Sequence, residues 1–113
     1  MCSQQEVKSI ISELYQGLQP LFPNSNMEAI LFGSYARGEQ DLDSDIDVMF
    51  LVDTPQQEIS KRTWEIGDVA ANILLNRGVV VSPIVENRSY FRKNADFLPF
   101  FRNIAREGVP YYA

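Results

Sequence analysis

No histidine and only one cysteine, Cys2, occur in this chain of 113 residues. Without histidine there is no histidine-dependent triad, no histidine general base and no histidine-ligated metal. A lone thiol excludes an internal disulfide framework and a cysteine-built zinc cage. Positive charge is also scarce: 10 Lys plus Arg stand against 15 Asp plus Glu, a net charge of −5. Non-specific nucleic-acid binding draws most of its affinity from basic stripes, so the balance argues against direct nucleic-acid binding. No apolar run approaches the roughly 20 residues that span a bilayer. The opening Met-Cys-Ser-Gln-Gln-Glu is polar and lacks the apolar stretch of a signal peptide. These absences lead to the expectation of a soluble, cytoplasmic protein with no membrane partner. What is present is ordinary globular composition, 45% hydrophobic and 22% charged, which argues against disorder. The length fits one domain, residues 1–113, able to bury roughly two-thirds of its unfolded surface.

Apolar spacing supplies the order of elements. Val7, Ile10, Ile11, Leu14 and Leu18 lie on one side of a helix, and Ser3 followed by Glu6 reads as its capping box. Pro20, Pro23 and Asn24 to Asn26 break it. Met27–Phe32 reads as a buried strand ending at Gly33, with Ser34 capping a short helix through Arg37 that stops at Gly38. After an acidic loop, Asp45–Val52 reads as a second strand. Residues 57–76 read as one amphipathic helix, with Trp64 off its apolar stripe. Val79–Val85 reads as a third strand, which Pro83 assigns to an edge or a bulge. A final helical stretch rich in aromatics, among them Tyr90, Phe91, Phe97, Phe100 and Phe101, runs to Gly108 and is kinked or restarted at Pro99. Tyr111 and Tyr112 follow it in the tail. The aromatics are read as core packing of this helix or as a partner surface. The predicted class is α/β (α+β), a small mixed sheet flanked by helices.

One region carries chemistry: Gly33-Ser-Tyr-Ala-Arg-Gly38, then Asp45-Ile-Asp47. A strand entering Gly-Ser at a helix start offers free amides to an anion, with no Cβ in the way. The Ser34 hydroxyl and the planar fork of Arg37 are further donors to a phosphate. The plain alternative is a strand–turn–helix with Ser34 as a cap. Asp45 and Asp47, two apart on a strand, face the same side. Their repulsion is relieved by a divalent cation, and Mg2+ prefers such oxygen ligands completed by substrate phosphates. The plain alternative here is a solvated acidic loop end. A calcium loop begun at Asp41 fails, because Ile46 and Val52 stand where Gly and Glu are required. Taken together, the cradle and the carboxylate pair have the geometry for a nucleoside triphosphate with bound magnesium.

Gly33-Ser34-Tyr35-Ala36-Arg37-Gly38 followed by Asp45-Ile46-Asp47 resembles the signature of the DNA polymerase β-like nucleotidyltransferase superfamily, and the short chain resembles its minimal prokaryotic members. The resemblance implies the polymerase β-like fold. It also implies phosphate binding by Gly33 and Ser34, catalytic metal binding by Asp45 and Asp47, and transfer of a nucleotide to a hydroxyl with release of pyrophosphate. It further implies a partner, a helical HEPN-domain toxin that such minimal proteins neutralise as antitoxins. One version of that role is transfer of AMP from ATP to a tyrosine of the toxin; a homo-oligomer is also open. The superfamily's usual third carboxylate is missing from Val79–Val85, where Ser82 stands mid-strand and Glu86 lies beyond the end. Three readings follow: Glu86 swings in, the site works with two carboxylates, or catalysis is weak or lost and the chain acts by nucleotide and partner binding. A plain structural protein is the remaining alternative.

Overall fold

Ser3 and Glu6 form the expected capping box. The Ser3 hydroxyl accepts from the Glu6 amide at 3.1 Å, and the Glu6 carboxylate accepts from the Ser3 amide at 3.1 Å. Such a cap stabilises a helix by about 1 kcal/mol. Helix α1 (Gln4–Leu18) buries Val7, Ile10, Ile11, Leu14 and Leu18, and a short 3-10 turn over Gln19–Leu21 ends it at Pro20. This computed structural model describes residues 2–111, so Tyr112 lies outside the described residues.

Strand β1 (Glu28–Phe32) leads into the single-turn helix α2 (Ser34–Arg37), and β2 (Ile46–Val52) returns antiparallel to β1. Helices α3 (Gln56–Ser60) and α4 (Thr63–Arg77) then cross to β3 (Val81–Asn87), which is parallel to β2. The single helix expected over 57–76 is thus two, parted at Lys61 and Arg62. The final stretch is also two helices, α5 (Arg88–Asn94) and α6 (Pro99–Glu107), with Pro99 restarting the helix from its first turn, where its missing amide costs nothing. Residues 109–111 add a strand that the sequence pattern does not announce, β4 (Val109–Tyr111), antiparallel to β1. The sheet order is β3-β2-β1-β4.

Both edge strands carry a proline, Pro83 on β3 and Pro110 on β4. On β3 the Ile46 amide donates to the Val80 carbonyl at 3.1 Å. The alternation of a parallel ladder then points the position of the missing Pro83 amide away from β2, so the proline costs the sheet no hydrogen bond.

Each strand divides its side chains between two faces. Ala29, Leu31, Ile46, Val48, Phe50, Val52, Val81 and Val85 join α1, α3 and α4 in the larger core. Gly17 lets α1 and α4 meet closely, since a Cβ there would lie 2.7 Å from a Val69 methyl. On the opposite face Met49 and Leu51 pack with Phe91, Phe101 and Ile104 of α5 and α6, bordered by Ile30, Phe32 and Ile84.

Candidate active site

The site lies where β1 ends and β2 begins. Antiparallel register sets Phe32 opposite Asp47, so Gly33, the next residue, meets the Asp47 side chain. A Cβ built on Gly33 would lie 2.4 Å from Asp47 Oδ2. Gly33 also holds φ +74° and ψ −155°, a region that is essentially glycine's alone. Two independent constraints therefore fix glycine at this position. Gly33, and not Ser34, caps α2: its carbonyl accepts from the Ala36 and Arg37 amides at 3.1 and 3.2 Å. Ser34 is the first helical residue, and among the described residues its hydroxyl has no hydrogen-bond partner.

Asp47 is half-buried on the face covered by α5 and α6, while Asp45 is exposed just ahead of the strand. Burial raises the Asp47 carboxyl above its ordinary value, the Asp45 charge raises it further, and Arg37 opposes both. Among the described residues neither carboxylate has a salt-bridge partner. The Arg37 guanidinium is held by Glu39 at 3.4 Å and Glu107 at 3.7 Å. These are exposed, long contacts worth little, so Arg37 is free to turn to an anion. A cleft of about 420 Å3 borders Asp45, lined also by Glu6, Tyr35, Leu42, Asp43, Ser44 and Val80 among others.

Parallel register resolves the third position. Ser82 is the partner of Asp47 on β3, so their side chains stand side by side on one face, about 4.8 Å apart in backbone spacing. Glu86 pairs with Leu51, four residues farther along β3 and hence about 13 Å from that position. Its Oε2 atom is buried without a hydrogen-bond partner, and burial raises its carboxyl above the ordinary range against a bond to Gln56 that lowers it. Glu86 belongs to the far end of the sheet. Ser82 occupies the third position, and sequence reasoning alone could not choose between the two, because the choice depends on strand register.

Among the described residues no three acidic or thiol side chains converge on one point. The Asp45–Asp47 pair still fits a hard divalent cation: two oxygen donors, like charges close enough to oppose each other, and no salt bridge to either among the described residues.

The chain matches the model of the nucleotidyltransferase domain over residues 7–112. It belongs to that family. The match covers nearly the whole of this sequence. Two curated relatives come from Methanocaldococcus jannaschii, both proposed protein adenylyltransferases. One is 33% identical over 90% of this chain and 94% of its own length, the other 32% identical over 74% and 83%. This nucleotidyltransferase also shares its fold with the crystal structure of a toxin–antitoxin with AMP-PNP, at TM-score 0.59 and 19% identity over 94% of this chain and 73% of that one. The mixed sheet and flanking helices expected from the sequence are the family's fold.

Proposed function

We propose that this nucleotidyltransferase moves AMP from ATP, with magnesium, to a hydroxyl of a partner protein, and that the acceptor is a tyrosine of a HEPN-domain toxin that the chain neutralises as an antitoxin. The observation that carries the reading is the contact of Gly33 with the Asp47 carboxylate. It joins the amide-rich start of α2 to the carboxylate pair, so one bound triphosphate is within reach of both. The names of the two archaeal relatives support adenylyl transfer to protein. The toxin–antitoxin neighbour with AMP-PNP supports a toxin partner and an adenine nucleotide.

In this reading the backbone at Gly33 and Ser34 orients the β- and γ-phosphates, with Arg37 released from Glu39 and Glu107 to assist. Asp45 and Asp47 would hold magnesium, which when bound would supply positive charge against the triphosphate and the attacking oxygen. The acceptor oxygen attacks the α-phosphorus. A new O–P bond forms as the bridging α–β P–O bond breaks, pyrophosphate leaves with the electron pair, and the hydroxyl proton passes to solvent. Ser82 is no base, so the acceptor must ionise with little help. A phenol, with a pKa of about 10, suits such a site.

The same Ser82 favours a second reading, in which the chain neutralises its partner by binding alone and uses nucleotide as a regulator. Incubation with labelled ATP, magnesium and the protein encoded beside this one, followed by intact mass and peptide mapping, separates them. One or more AMP units on a partner tyrosine, lost in Asp45→Asn, is the expected result. An unmodified partner in a tight complex would overturn the transferase reading in favour of binding.

A further inference from the structure

The face of the sheet that carries Asp47 is covered incompletely, and the incomplete part is aromatic. Phe97 is 73% exposed, Phe100 48%, Tyr90 45% and Leu98 38%. All four come from α5, α6 and their short connection. Tyr90 and Phe100 are linked to the site by touching rings, and Phe97 and Leu98 lie in the chain just before Phe100. Tyr90 meets Phe101 edge-on at 5.8 Å, Phe101 meets Phe100 at 6.1 Å, and Phe100 meets Phe32 edge-on at 5.7 Å. Phe32 is the residue opposite Asp47. An apolar strip thus runs from α5 to the carboxylate pair and stops there.

The charge around the strip differs from that of the rest of the molecule. Residues 88–113 hold five cations (Arg88, Arg92, Lys93, Arg102, Arg106) and two acids (Asp96, Glu107), a net +3. Residues 1–87 hold five cations and thirteen acids, a net −8. Arg88 and Arg92 are engaged with Glu28, whereas Lys93 and Arg106 have no acidic partner among the described residues. Solvent-exposed aromatics beside unpaired cations are the composition of an interface centre and rim.

We propose that the strip is the docking surface for the acceptor protein, and that it selects a hydroxyl-bearing segment with apolar residues around the hydroxyl and acidic residues outside them. The inference rests on the transferase reading for the word acceptor. It goes beyond that reading in assigning where the acceptor lies and what sequence surrounds the modified residue. Binding on the strip brings a side chain to the Phe32 end, beside Asp47 and Ser82. A nucleotide held at Gly33 and Ser34 and a protein segment on the strip would then meet at the carboxylates.

Two fluorescent peptides test this: a central tyrosine flanked by leucine and isoleucine, ending in glutamates in one and lysines in the other. Binding is read by anisotropy and transfer by mass, with ATP and magnesium. The glutamate peptide should bind at least tenfold tighter, and Phe97→Asp and Lys93→Glu should each abolish the preference while ATP affinity stays unchanged. Phe97 is exposed enough that its replacement leaves the core intact, and circular dichroism checks this. Equal binding of both peptides by the wild-type protein would overturn the proposal, whether or not AMP is transferred. Preferential binding without transfer would leave the docking surface standing and count against the transferase reading instead. Loss of ATP affinity in Phe97→Asp would assign the strip to the nucleotide, and a fall in sedimentation mass would assign it to a second copy of the chain. Either result overturns the acceptor assignment.

Discussion

The two faces of the sheet are built to different degrees of closure. On one, α1, α3 and α4 seal a continuous core in which Leu14, Leu18, Ile46, Val48, Phe50 and Val52 have essentially no exposure. On the other, α5 and α6 cover only the middle of the strands with a smaller cluster, leaving Asp47, Ser82 and the aromatic strip at its border. β2 belongs to both, alternating core residues on one side with Asp47, Met49 and Leu51 on the other. The difference teaches how so short a chain can place like charges at the end of a strand whose remainder is buried. The sealed face holds the fully buried core, and the partly open face carries the candidate site.

Substitutions sharpen that contrast, and their expected effects on stability fall in order. Phe50→Ala, on the sealed face, should cost about 3–5 kcal/mol, enough to unfold much of a marginal domain. Phe100→Ala on the open face should cost far less, and paired urea titrations measure both. Gly33→Ala comes next, at about 1–3 kcal/mol for the backbone conformation alone, with further loss because the new methyl displaces Asp47. It should remove transfer even in the fraction that folds, which a mass assay corrected for folded protein would read. If Gly33→Ala keeps full activity, the cradle is misplaced.

Asp47→Asn should do the opposite to stability. The Asp47 carboxyl is raised, first by burial and then by Asp45, so its charged form weighs against the folded state. Its contribution to stability is present below the ordinary value of 3.8 and lost as pH rises through its raised folded value. The asparagine variant should therefore melt higher than the parent at neutral pH without metal, while transfer falls at least about 100-fold. Added magnesium should raise the parent's melting temperature and leave the variant's unchanged. A variant that melts lower would show that the carboxylate is stabilised by something other than a cation.

Glu86→Gln should give the smallest change. Burial raises Glu86 too, so the same sign applies: its stabilising protonated form is lost as pH rises through its raised folded value, above the ordinary 4.5. The variant should be slightly more stable at neutral pH, with transfer untouched, because Glu86 sits at the far end of β3. A marked loss of transfer would bring Glu86 back to the metal.

Much of this was legible in the residues because it is local. The Ser3–Glu6 box, the strand ending at Gly33, the Asp-x-Asp at the head of β2 and the edge placement of Pro83 each follow from a few neighbouring positions. What was not legible depends on long-range pairing. β4 is only three residues long and forms because β1 has a free side, so Val109–Tyr111 carries no pattern of its own. The break at Lys61 and Arg62 interrupts no apolar period. Ser34 looks like a cap in sequence, yet the Gly33 carbonyl accepts the first helical amides and Ser34 is already helical. Whether Ser82 or Glu86 completes the site is a matter of register alone.

The prolines on both outer strands bear on how this chain behaves in a crowded solution. An open sheet edge is a template on which another chain can add a strand, and stacking by that route ends in aggregates. Here Pro83 and Pro110 interrupt that template on each side, since neither offers the amide that a regular added ladder would use. A domain guarded in this way is discouraged from recruiting partners by strand exchange. It is left to recognise them through the side chains of its helices, and it can be concentrated without its sheets polymerising edge to edge.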